Sequence, residues 1–189
     1  MSPPQTALDD LSYVKRALAR DENSPFPASI AVLWAAISAV GMPLNDFAPE
    51  RAGLFWMVAA PVGFLLSIWL GYRGSRAAGE SDRREGLRWA LHFGVLLLAM
   101  LAAALGAAWG AFTGAQMGMI ALLVCGVVFL LAGVHLARPL AWVGAVQLAG
   151  LPAVLLLPEW RWTLVGAACA VALLAIGLIG RRRGAASAN

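Results

Sequence analysis

The sequence predicts an all-α membrane protein: a bundle of about six transmembrane helices preceded by an amphipathic helix. Three observations lead there. Of 189 residues, 61% are hydrophobic and only 13% are charged, whereas soluble domains carry about a quarter charged residues. Mean hydropathy is +0.76. The apolar residues are also gathered into runs of the length that crosses a bilayer, about 20 residues each, with basic residues set between them. So apolar a chain lacks the polar surface to coat one water-facing core.

The elements follow in order. Residues 1–27 form a cytoplasmic segment. Within it Thr6 caps a helix over residues 7–20, with Asp9 placed to complete a capping box. Leu8, Leu11, Val14 and Leu18 make one apolar stripe, and Asp9, Asp10, Lys15, Arg16 and Arg20 lie largely off it. Such a helix lies on a membrane surface or docks a partner. Ser24-Pro25-Phe26-Pro27 then breaks the helix. A polar stretch up to Asn23, and no small-residue cleavage site after the first apolar run, speak against a secretory signal.

Six spans follow, over residues 28–44, 53–72, 89–109, 116–136, 140–157 and 162–180, within a transmembrane domain of 28–180 and before a cytoplasmic tail of 181–189. They are helices because lipid offers no partner to backbone amides. A barrel would alternate polar and apolar residues, and these runs do not. With six crossings, all Lys and Arg fall on one side except Arg51 and Arg161. The positive-inside rule places that side, and both termini, in the cytoplasm of a bacterial-type inner membrane. Trp56, Trp109, Trp160 and Trp162 mark the outer interface and Trp69, Trp89 and Trp142 the inner one; Trp34 lies deeper.

A net charge of +4 and a pI near 9.8 raise nucleic acid as a partner. The basic residues flank apolar runs instead of clustering on a binding fold, so anionic lipid headgroups at the inner face are the expected partner and nucleic acid is not. The arginine-rich loop 73–88 reads first as a solvated topogenic loop that holds orientation, with an anionic-ligand site as the sharper alternative; Arg76, Arg83 and Arg84 in it are the candidate cytoplasmic contact, for a protein partner among others. Small-residue spacings, Gly106/Gly110, Gly114/Gly118, Ala103/Ala107 and Gly166/Ala170, suit close helix packing, within one bundle or between copies in a homo-oligomer.

Functional chemistry is sparse. No acid, Lys or Arg sits mid-span, which argues against a proton pump or a carrier built on a buried carboxylate. His92 and His135 both fall near the inner face. Facing histidines ligate haem or a metal, and separate ones simply hydrogen-bond to backbone. Asn45, Asp46 and Gln116, near the in-span prolines Pro43, Pro61 and Pro152, outline a candidate polar mouth on the outer side. Cys125 and Cys169 lie in apolar runs, without metal-ligand spacing, and read as small hydrophobes. No GxSxG, HExxH, Walker loop or GxGxxG occurs, so no catalytic residue, cofactor or metal is assigned.

Asp10-Leu11-Ser12-Tyr13-Val14-Lys15, Leu33-Trp34-Ala35 with Asn45-Asp46-Phe47, and Gly133-Val134-His135-Leu136-Ala137-Arg138-Pro139-Leu140 make the chain resemble small six-helix bacterial inner-membrane proteins, often encoded beside a winged-helix transcription regulator. The resemblance implies a membrane component of a regulated envelope response and lends no site residues. The leading expectation is therefore a non-enzymatic sensing, scaffolding or partner-binding protein. A small-solute transporter or channel is the alternative, and a haem- or metal-binding membrane protein the second.

Overall fold

The computed structural model describes residues 26–78 and 83–186. It contains six helices: α1 (Ala28–Phe47), α2 (Pro49–Ala78), α3 (Arg83–Ala108), α4 (Gly114–His135), α5 (Leu140–Leu156) and α6 (Arg161–Ala186). No strand occurs among the described residues, so the fold is the all-α bundle that the apolar runs predict. The amphipathic helix of residues 7–20 lies outside the described residues.

Five helices are long and apolar enough to cross a membrane, and several such helices mark a membrane-embedded protein. The exception is α5, with 17 residues, a length of about 25 Å. Its two ends nevertheless reach both halves of the core. Leu140 and Val143 pack with Leu173 and Ile176 of α6 in one cluster, and Val154 packs with Trp162 and Val165 in the other. So α5 runs antiparallel to α6 along the length of the core.

Packing is closest between α1 and α6 and between α4 and α5; α5 joins α6, α2 rests on α1, and α3 rests on α4. Across the bundle the order is thus α2, α1, α6, α5, α4, α3. The antiparallel course gathers Arg73, Arg76, Arg84, Arg88, Arg138, Arg181 and Arg182 at one end, the arginine end. The opposite end carries Asp46, Glu50, Arg51, Glu159 and Arg161.

Close approach is made possible by glycine. A Cβ on Gly144 of α5 would sit 2.4 Å from the backbone nitrogen of Leu130 on α4, and one on Gly166 of α6 would sit 2.4 Å from Met42 Cβ on α1. Gly166 and the buried Ala170 thus form the small-residue seam expected of them. Gly106 and Gly110 do not: Gly106 is covered by Phe112 just beyond its own helix, and Gly110 sits in the turn after α3 with φ +78°.

Several helices outrun their lipid-sized stretches. α1 continues through Asn45 and Asp46 to Phe47, and only Ala48 separates it from α2. Ala48 precedes Pro49, whose ring disfavours a helical conformation there, while Pro49 itself is suited to the first position of α2. The arginine-rich segment 73–88 is mostly helix, not loop: α2 carries Arg73 and Arg76, and α3 begins at Arg83. Ala, Arg and Glu are strong helix formers, and a helix has no reason to stop where the hydrocarbon does.

Candidate functional site

The polar side chains expected to outline an outer mouth are built into helix ends. Asn45 donates from Nδ2 to the carbonyls of Gly41 (3.3 Å) and Met42 (3.2 Å) on its own helix. Gln116 forms a capping box with Thr113 at the start of α4, its Oε1 accepting from the Thr113 amide at 2.8 Å and its own amide donating to Thr113 Oγ1 at 3.3 Å. Asp46 reaches furthest. From the last turn of α1 its carboxylate accepts from the amides of Trp162 (3.4 Å) and Thr163 (2.7 Å) and from Thr163 Oγ1 (2.7 Å). A carboxylate at a helix N-terminus satisfies orphan amides and meets the positive end of the dipole. Here it also ties α1 to α6.

Two neighbours complete this lock. Trp160, just before α6, has φ +56°, an uncommon and strained conformation for a bulky residue. Its ring stands edge-on to Phe47 at 5.1 Å. Arg161 donates from Nη1 to the carbonyl of Val154 at 3.3 Å. That carbonyl's helical partner would be the amide of residue 158, which is a proline and has none.

The two histidines occupy separate places. His92 on α3 donates from Nε2 to the Val128 carbonyl on α4 at 2.9 Å, since a carbonyl only accepts. It sits edge-on to Phe93, which stacks on Trp89 and meets Phe129. Phe26, ahead of α1, closes this aromatic row against Trp89. His135 is exposed in the last turn of α4, about 10 Å along the helix from Val128, where a basic side chain suits the dipole. Among the described residues no three His, Cys, Asp or Glu side chains are grouped to hold a metal ion. Cys125 and Cys169 are free thiols.

At the arginine end Arg76 lies 5.4 Å over the Tyr72 ring and Arg73 lies 5.5 Å over the Trp69 ring. Arg84 and Arg88 are exposed on the first turns of α3. The side chain of Arg83 lies outside the described structure.

Two features have no counterpart in the sequence reading. Trp34, too deep for an interface belt, donates from Nε1 to Ser67 Oγ at 2.9 Å, and Ser67 donates on to the Gly63 carbonyl at 2.7 Å. This joins α1 to α2. Gln147, the sole polar side chain among the buried residues of α5, has an Oε1 without a hydrogen-bond partner. Its isolation in an apolar run was the available signal. Comparison with protein-family models, curated proteins and solved structures finds no match to this chain.

Proposed function

We propose that the protein is a non-enzymatic, multi-pass component of a bacterial-type inner membrane that binds a cytoplasmic protein partner at its arginine end, with both termini in the cytoplasm. One observation carries this reading. At the opposite end Asn45, Asp46, Gln116 and Arg161 hydrogen-bond within or between helix ends, and the exposed charge is mixed and sparse, Glu50, Arg51 and Glu159, whereas Arg73, Arg76, Arg84, Arg88, Arg181 and Arg182 give the other face six exposed cations. Guanidinium groups at a lipid–water boundary suit acidic protein surfaces and hold orientation by the positive-inside rule. A reporter fused at Asn189 is expected to be active only in the cytoplasm. Cross-linking in the native membrane is expected to capture a partner that is lost on Arg76→Glu with Arg84→Glu, or on deleting residues 1–24. A partner retained by all of these variants, or an extracytoplasmic reporter, would sink the reading.

A carrier or channel for a small neutral solute is the second reading, and the orphan Gln147 oxygen favours it, because a buried acceptor is where a solute donor would be held. Its test is solute flux into liposomes, with Gln147→Leu expected to abolish any flux seen in the wild type.

A further inference from the structure

A groove of about 320 Å³ runs between α1 and α2. Leu33, Ile37 and Val40 form its α1 wall and Ala59, Val62 and Leu66 its α2 wall, and every lining residue is apolar. The face of α1 that packs on α6 carries Ala31, Ala35 and Ser38. Leu33 and Val40 point the other way, by the 100° step between helical residues, so the groove opens to lipid. Gly63 lets the two walls meet at the floor of the groove: a Cβ there would lie 2.7 Å from Ile37 Cδ1.

The α2 wall does not end with the groove. Val62, Leu66, Trp69, Arg73 and Arg76 follow at steps of three and four residues, so they form one stripe along the helix. Arg73 lies about 10 Å beyond Leu66 along the axis, with its guanidinium held over Trp69. Arg76 is held over Tyr72 one turn on. Trp and Tyr at this level mark the boundary between hydrocarbon and headgroups. From Val58 to Ala78 the helix carries these two arginines and no acid.

We propose that this surface is a binding site for one anionic phospholipid. The phosphate takes the guanidinium groups of Arg73 and Arg76, and one acyl chain passes Trp69 and Leu66 into the α1–α2 groove. Charge selects the headgroup, because guanidinium pairs with phosphate in a fixed, forked geometry and a headgroup without its own cation leaves that charge uncompensated. The groove supplies the second point of attachment that separates a bound lipid from the exchanging annulus. This inference does not rest on the function proposed above, but it gives Arg73 and Arg76 to lipid and leaves Arg84, Arg88, Arg181 and Arg182 of that face to a protein partner.

The test uses the full chain in nanodiscs of equal parts phosphatidylglycerol and phosphatidylcholine, transferred to detergent and examined by native mass spectrometry. One phosphatidylglycerol is expected to remain bound, enriched about tenfold over phosphatidylcholine. Arg73→Gln with Arg76→Gln removes the enrichment. Val62→Trp, or Leu66→Trp, fills the groove from an exposed rim and lowers retention with both arginines intact. Arg51→Gln, at the opposite end, leaves retention unchanged, and soluble glycerol phosphate does not displace the lipid. Equal retention of the two lipids, survival of the adduct in both the arginine and the groove variants, or displacement by glycerol phosphate overturns the proposal.

Discussion

Helices α3 and α6 are nearly equal in hydropathy and opposite in surroundings: α6 sets Trp162, Val165, Cys169, Leu173 and Ile176 in the core, and no described side chain of α3 is fully buried. α1 extends the contrast. It has the lowest hydropathy of the five long spans and is still more buried than α2 or α3. Hydropathy decides which segments enter lipid. Within lipid a leucine gains little by exchanging acyl chains for protein, so association depends on fit, on dispersion and on hydrogen bonds. α6 has Gly166 pressed on α1 and a capped N-terminus; α3 has Gly86 and Gly94, where an added Cβ would meet no other element within 4 Å.

The strongest way to break this contrast is to add bulk to each kind of helix. Gly144→Val places its Cβ against Leu130 nitrogen and the Gly126 carbonyl, backbone atoms that cannot move aside. It is expected to cost about 3 kcal/mol, read as a lower melting temperature in detergent and loss of the monodisperse peak. Gly94→Val on α3 meets nothing, and the same assay is expected to show little change. Equal effects of the two would mean that the core and flank distinction is wrong.

Next in size is the Asp46 lock. Asp46→Ala removes the acceptor of three hydrogen bonds at the head of α6 and is expected to cost about 2 kcal/mol. Glu50→Ala nearby breaks only an exposed contact with Arg51 and should leave the melting curve in place. If the two substitutions behave alike, Asp46 does not hold α1 to α6.

A smaller effect is expected at the α1–α2 seam. Trp34→Phe keeps most of the packing and loses the hydrogen bond to Ser67, about 1 kcal/mol. Because α2 packs chiefly on α1, the change should appear as faster hydrogen exchange in α2 with α4 and α5 unchanged. Exchange that rises evenly through all helices would contradict this. The smallest expected effect has the opposite sign: Gln147→Leu removes an unsatisfied buried acceptor and should be neutral or stabilising by up to about 1 kcal/mol. A large loss of stability there would show that the amide has a partner after all.

Legibility in the sequence varied residue by residue. Gln116 and Thr113 are three apart, and their capping box is a local pattern. Asp46 was visible as an acid at a helix end, but its partner lies over a hundred residues away, and no spacing rule pairs them. His92 and His135 shared an interface on paper; a carbonyl on α4 engages one and the other stands exposed. The arginine segment 73–88 carries the charge of a loop, yet its alanines, arginines and glutamates favour helix, and both flanking helices run into it. Gly106 and Gly110 matched a packing motif whose second member fell in a turn.

The sequence by itself determined that the chain enters lipid as helices, about how many there are, and at which end its arginines gather. Those outcomes depend on length, hydropathy and backbone hydrogen bonding within each segment. Only the tertiary structure decided which helices form the core and which stay at its edge, that Asp46 closes α6, and that an apolar groove leads to Arg73. Neighbours in lipid are chosen by surface shape and by partners remote in sequence, and hydrophobicity, being the same on both sides of the contact, does not distinguish them.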